Sequence, residues 1–172
     1  LLYEAHDYAA LGQAANGVLL MTYEWGYTAG PPMAVAPLNK VRQVLDYALT
    51  EIAAEKLFLG VPVYGYDWPL PFREGLTRAE SISPQEALAL ARRYGAEIRF
   101  DETAQAPWFR YTAPDGVEHE VWFEDARSSY AKFRLAAEKG LQGVGLWNLM
   151  RPAPQTYLVL HGGFDIEVMG EK

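Results

Sequence analysis

The chain has no cysteine in its 172 residues, which excludes disulfides and thiolate-bound metal. Histidine is nearly as scarce. His6, His119 and His161 are scattered without the spacing of a metal site, so they read as surface or internally satisfied side chains. Neither a metal nor a cofactor is expected. Positive charge is also short: 15 Lys and Arg stand against 22 Asp and Glu, for a net charge of -7. That balance supplies no basic patch, so nucleic acid is excluded as a partner, and an uncharged or polar polymer suits the surface better. No apolar run is long enough to span a bilayer, so no membrane partner is expected. Gly26-Tyr27-Thr28-Ala29-Gly30-Pro31-Pro32 lacks the Lys-Ser/Thr of a phosphate loop, and no serine sits in a nucleophile elbow. Repeats and low-complexity stretches are absent too.

Half of the residues are hydrophobic and 22% are charged, which is the composition of one folded domain with a core. The organising stretch is Val18-Leu19-Leu20-Met21-Thr22-Tyr23-Glu24-Trp25-Gly26. It starts as an uninterrupted apolar run between two glycines, which reads as a strand buried on both faces, as in a parallel sheet. At its C-terminal end a hydroxyl, a phenol, a carboxylate and an indole fall within four positions, the place where α/β barrels put their chemistry. Side-chain alternation points Met21 the same way as Tyr23.

Before this strand, Tyr8, Leu11 and Ala15 recur at helical spacing from Tyr3 onward, with Asn16-Gly17 as a stop. After it, residues 26–37 are a Gly- and Pro-rich loop suited to substrate contact. Asn39 is a candidate cap for a helix burying Val41, Val44, Leu45, Ala48, Leu49 and Ile52. A second apolar strand spans Lys56 to Tyr66, with Tyr64 and Tyr66 on one side and Asp67-Trp68 following. The strand-helix-strand spacing fits a parallel crossover. The pattern then changes. Ser83-Pro84-Gln85-Glu86 opens a helix. Short alternating pieces follow at 97–100, 108–111 and 118–123, with a turn at Pro114-Asp115-Gly116. A helix over 126–139 leads to a third buried strand, Leu141 to Leu149, and a last helix runs from about Gln155 to about His161.

Met21-Thr22-Tyr23-Glu24-Trp25 resembles the sixth barrel strand of the family 18 glycoside hydrolases. The continuation from Gly26 to Pro37 resembles the branch of spore-cortex-lytic N-acetylglucosaminidases from endospore-forming bacteria. The family's usual acid after the tyrosine is Asp; the glutamate at position 24 fits that branch. Gly65-Tyr66-Asp67-Trp68 is similar to the seventh strand, Val121 to Ser129 to the junction after the family's insertion, and Gly143-Val144-Gly145-Leu146-Trp147 to the eighth strand.

The fold implied is α/β: the C-terminal portion of a TIM (β/α)8 barrel, about strands 6 to 8, with a small α+β insertion between strand 7 and helix 7. Residues 1–66 and 124–172 would be barrel and 67–123 insertion, with Trp108, Tyr111 and Trp122 as the insertion's own core. A complete barrel takes roughly 250 residues, and Leu1-Leu2-Tyr3 reads as the middle of a domain. The Asp-x-x-Asp-x-Asp-x-Glu motif that carries the family's proton donor does not occur in this sequence. The first half of the barrel, with that Glu, is therefore expected outside these residues, and the 172 residues alone are expected to be inactive. The lost half, or another copy, would cover the open sheet edges.

The resemblance also implies a reaction: substrate-assisted, retaining hydrolysis of N-acetylglucosaminyl bonds, in which the sugar's 2-acetamido oxygen attacks the anomeric carbon. Tyr23 would donate to that oxygen. Glu24 would accept from the acetamido N–H and stabilise the oxazolinium cation. Trp147 would be the floor under the scissile ring, with Met21 lining the interior beneath the sugar. Tyr66, with Tyr64 beside it, would contact the groove, Trp25 and Trp68 would offer stacking surfaces, and Asn148 would hydrogen-bond sugar or backbone. The partner implied is an N-acetylated glycan, peptidoglycan of the spore cortex with chitin as the alternative. The location implied is extracytoplasmic, in the spore coat, cortex or cell wall, during sporulation or germination. Two other classes stand beside this one: a chitinase-like lectin that has lost the acid, and a structural (βα) fragment whose aromatics are all core.

Overall fold

The computed structural model of the chain describes residues 6–164 and residue 166. In order its elements are α1 (Tyr8–Ala14), β1 (Val18–Leu20), α2 (Leu38–Glu51), β2 (Leu57–Pro62), β3 (Gly65–Pro69), β4 (Glu80–Ile82), α3 (Pro84–Tyr94), β5 (Arg99–Asp101), β6 (Ala106–Thr112), β7 (Glu118–Trp122), α4 (Ala126–Glu138), β8 (Gly143–Trp147) and α5 (Pro154–Gly163). They form a mixed α/β structure with two sheets. One is parallel, in the order β1-β2-β8; the other is antiparallel, in the order β4-β3-β7-β6-β5.

Register decides what each face of the parallel sheet carries. Val18 and Leu20 lie opposite Leu57 and Leu59, and Leu59 and Val61 lie opposite Val144 and Leu146. These side chains share one face and pack against Val41, Leu45 and Ala48 of α2 and Phe133 and Ala136 of α4. The other face is built from large residues laid over glycines. A Cβ on Gly145 would sit 2.7 Å from Leu19 Cδ1, and one on Gly60 would sit 3.0 Å from Tyr23 Cε1 and 2.5 Å from the Leu20 carbonyl oxygen. Gly60 is therefore the space that the Tyr23 ring occupies.

Sequence patterning misjudges the length of β1. Its ladder ends at Leu20, and within these 172 residues Leu19, on the face away from the helices, is 47% exposed. The strand ends early because the backbone N–H of Thr22 turns back to the Leu20 carbonyl (3.0 Å) while its hydroxyl donates to the Gly60 carbonyl (3.0 Å), which replaces a ladder bond with a side-chain bond. The second expected strand, 56–66, is two strands. The Val63 N–H makes the last link to β8, donating to the Trp147 carbonyl at 2.8 Å, and the chain then crosses into the antiparallel sheet. Gly65 makes the crossing possible: a Cβ there would lie 2.4 Å from the Trp122 carbonyl oxygen. The antiparallel sheet thus starts two residues before the expected boundary at 67.

Alternation also corrects the core of this second unit. Phe109, Tyr111, Val121 and Phe123 pack with Ile82 and with Ala87 and Ala91 of α3. Trp108 has the opposite parity from Tyr111, so it stacks on its cross-strand neighbour Trp122 on the other face, with ring centroids 5.6 Å apart. Trp122 packs there against the main core. The turn at Ala113–Gly116 closes as expected, with Gly116 at φ +85°. Among the helix caps, Ser83 and Glu86 form a reciprocal capping box, and Asp125 caps α4. Asn39 does not cap α2; Pro37 occupies that position without a side-chain bond. The expected helix before β1 is capped by Asp7 and ends at Ala14, and Tyr3 lies outside the described residues.

Among the described residues one ion pair is fully buried. Lys132 of α4 donates to Glu124 Oε2 at 2.8 Å, while Glu124 Oε1 has no hydrogen-bond partner. Burial pushes the Glu124 carboxyl above the ordinary range, and the Lys132 ammonium offsets part of that rise.

Two stability measurements follow from this packing. Gly60→Ala is expected to cost about 1–3 kcal/mol in denaturant unfolding, because its Cβ must displace either backbone or the Tyr23 ring. Lys132→Met is expected to cost about 3–5 kcal/mol at pH 7 by leaving a buried carboxylate uncompensated. Its loss shrinks toward pH 5: the folded variant keeps the Glu124 proton at a pH where the unfolded chain releases it, so stability rises as pH falls. Equal losses at pH 5 and pH 7 would contradict this.

Candidate active site

Parallel strands finish on the same side of a sheet, so the residues after β1, β2 and β8 gather along one rim. After β1 the chain is tied down by a short backbone pairing. The Trp25 N–H donates to the Val35 carbonyl (3.1 Å) and the Gly26 N–H to the Ala34 carbonyl (3.0 Å). Gly26 is required for this approach, since a Cβ would lie 2.1 Å from the Met33 carbonyl oxygen. The turn holds Glu24 at φ +69°, a left-handed conformation uncommon for a residue other than glycine.

That conformation aims the Glu24 carboxylate at two phenols. Tyr64, at the crossing between the sheets, donates to Glu24 Oε1. Tyr66 of β3 donates to Oε1 at 3.0 Å and to Oε2 at 3.2 Å. The two rings meet edge to face, with centroids 5.7 Å apart. Tyr64 is held in turn by its carbonyl, which accepts from the Glu124 N–H at 3.2 Å. Burial, then the hydrogen bond and charge of Glu24, push the Tyr64 phenol well up. Burial and the same carboxylate push Tyr66 up to about 12, and burial with Glu24 raises Tyr23. All three phenols therefore stay protonated near neutrality, and Tyr64 and Tyr66 donate to Glu24.

The remaining residues singled out in the sequence divide by location. Trp147 is 52% exposed and shares the sheet face over which Tyr23 lies. Met21 is 70% exposed beyond the end of β1. Trp25 is half-buried against the main core. Asn148 lies on a hollow of about 470 Å³ with Ser83, Glu86 and Arg151, and its Oδ1 accepts from the Met150 N–H at 3.1 Å. Trp68 is not a surface for stacking. It is fully buried and its indole N–H donates to the Gly30 carbonyl at 2.8 Å, so it anchors the 26–37 loop from beneath. The reason is parity: on β3 it points to the same side as Tyr66 but deeper, where that loop covers it.

Three arrangements had no sequence signal. Arg151 donates to the Ser81 carbonyl at 3.0 Å and reaches Glu86 at 3.5 Å, beside the hollow. Asp67 is buried, accepting from Tyr111 at 2.6 Å and meeting His119 Nδ1 at 2.8 Å. The Glu124–Lys132 pair was likewise invisible. The first two join residues far apart in the chain, which only the completed sheets bring together, and the third spans eight residues across the start of α4. Among the described residues, no group of three or more His, Cys, Asp or Glu side chains could hold a metal ion, and no helix is long and apolar enough to cross a membrane.

Comparison with known proteins supplies what this geometry alone does not. The cortical fragment-lytic enzyme of Bacillus subtilis (strain 168) is 52% identical over 164 residues, which is 95% of this chain and 38% of that protein. The crystal structure of the Bacillus cereus spore cortex-lytic enzyme SleL matches with a TM-score of 0.95 at 47% identity, covering 99% of this chain and 39% of that one. A chitinase from Chromobacterium violaceum ATCC 12472 matches with a TM-score of 0.85 at 34% identity, covering 92% of this chain and 48% of that one. The chain thus spans less than half the length of each. The profile described as Glycosyl hydrolases family 18 matches residues 2–151, and on that match this chain belongs to family 18 of the glycosyl hydrolases.

Proposed function

We propose that this chain is part of a glycoside hydrolase that cleaves N-acetylglucosaminyl bonds of spore-cortex peptidoglycan with help from the substrate's own acetamido group. The names of the cortical fragment-lytic and cortex-lytic relatives support the substrate. One observation carries the chemistry: a carboxylate, Glu24, held by two buried phenols on a rim that also bears the Tyr23 phenol and an exposed indole, Trp147.

In this reading the acetamido carbonyl oxygen attacks C1 of the sugar while the bond from C1 to the leaving oxygen breaks. A proton-donating acid protonates that oxygen. The oxazolinium ring so formed is opened at C1 by water, whose proton passes to the acid's conjugate base, with net retention of configuration. Tyr23 donates its O–H to the acetamido oxygen and sets the line of attack. Glu24 accepts from the acetamido N–H and neutralises the positive ring, a stabilisation that matters most once charge develops. Trp147 offers its ring face to the apolar underside of the sugar.

The acid belongs to a segment outside these residues, because the sequence lacks the motif that bears it. On this view β1, β2 and β8 are barrel strands 6, 7 and 8. The antiparallel sheet with α3 is an insertion before α4, close to the proposed 67–123, with barrel segments on either side. The glycan is extracytoplasmic, so the protein acts there.

The test uses the longest natural polypeptide that contains these residues. Tyr23→Phe is expected to lower kcat on purified cortex peptidoglycan by roughly 100- to 1,000-fold, as loss of one preorganised donor does elsewhere. Trp147→Ala is expected to weaken both binding and turnover. Undiminished hydrolysis by both variants would refute the site. A purified 172-residue chain that turned over glycan unaided would refute the external acid.

A further inference from the structure

Glu24 is held by two donors that are themselves buried. Tyr64 and Tyr66 are 5% and 6% exposed, and both hydroxyls are engaged with its carboxylate. The two oxygens of that carboxylate are unequal. Oε1 accepts from both phenols, whereas Oε2 accepts only the longer 3.2 Å bond from Tyr66. One oxygen thereby takes two donors and the other one, on a residue that is itself exposed. The acid sits in a turn at positive φ, while Tyr66 is carried by β3, fixed by backbone pairing, and Tyr64 by the crossing, which is tied by the Val63 N–H to the Trp147 carbonyl and by the Tyr64 carbonyl to the Glu124 N–H. Elements of that kind hold a site more accurately than a loop can.

We propose that Tyr64 and Tyr66 are positioning residues that anchor Glu24 through Oε1 and present Oε2 to the substrate, and that this anchor requires a glutamate, not an aspartate, at position 24. This rests on the reading of Glu24 as the residue that meets the acetamido group. An aspartate carboxylate would end one methylene short, by about 1.5 Å. A bond of 3.0 Å to Tyr66 would then stretch beyond hydrogen-bonding range. The two phenols would be left as buried donors without an acceptor, and the acid would lose its fixed direction.

The test is a double-mutant cycle in the full-length polypeptide with Glu24→Asp, Tyr64→Phe and the pair combined. Rates are measured on cortex peptidoglycan. Dissociation constants are measured for a soluble N-acetylglucosamine oligosaccharide, which reports on the site independently of turnover. Each single change is expected to lower kcat roughly 10- to 100-fold, the range for a hydrogen bond to a charged group, with KM little changed. The combined variant is expected to be no worse than Glu24→Asp alone, because an aspartate no longer reaches the phenol. Thermal unfolding checks that each variant folds; if Tyr64→Phe does not, Tyr66→Phe takes its place in the cycle. Strictly additive losses in kcat, or a fully active Glu24→Asp protein, would overturn the anchor. Glu24→Ala separates the two levels: if it leaves hydrolysis intact, the role of Glu24 itself fails; if it abolishes hydrolysis while the cycle is additive, only the anchor fails.

Discussion

Parallel pairing of β1, β2 and β8 is the constraint on which the rest depends. It aligns three strand ends that are far apart in the chain, and it gives the sheet one face for helices and one face that carries the glycines. That second face is built by subtraction. Glycines at 60, 143 and 145 remove side chains so that Tyr23, Phe58 and Leu19 can lie flat across their neighbours. The helix-facing side follows the opposite rule, with branched aliphatics at every in-register position. A single two-residue alternation produces both results.

The family and the α/β class were legible because their signals are local. A buried run that ends in Thr22-Tyr23-Glu24-Trp25, and later glycine-flanked runs that end in aromatics, can be read in order along the chain, and the family match agrees. Strand ends were less legible. Thr22 ends β1 with a hydroxyl bond to Gly60, thirty-eight residues away, and no periodicity reports such a bond. The division of 56–66 into two strands hangs on Gly65 meeting Trp122 and Phe123, again a distant contact. The location of Trp68 failed for a related reason. Nothing local reports that the 26–37 loop folds over it.

The polar side chains in the interior show the same division between local and global. The caps at Ser83 and Asp125 are sequence-local and readable. The Lys132–Glu124 pair bridges the first residues after β7 to the middle of α4 and fixes how the helix meets the strand end that supports Tyr64. The cluster of Asp67, Tyr111 and His119 does comparable work inside the antiparallel sheet, where a carboxylate on β3 binds partners from both β6 and β7.

Tyr66 belongs to two structures at once. It is a member of the antiparallel sheet, paired with Ser81 and Trp122, and it is also one of the donors to Glu24. The antiparallel sheet is therefore not an appendage that descent could discard at will. A lineage that trimmed this sheet would forfeit a ligand of its own acid in the same event, and would have to recruit a new donor from elsewhere before the shortened form could work.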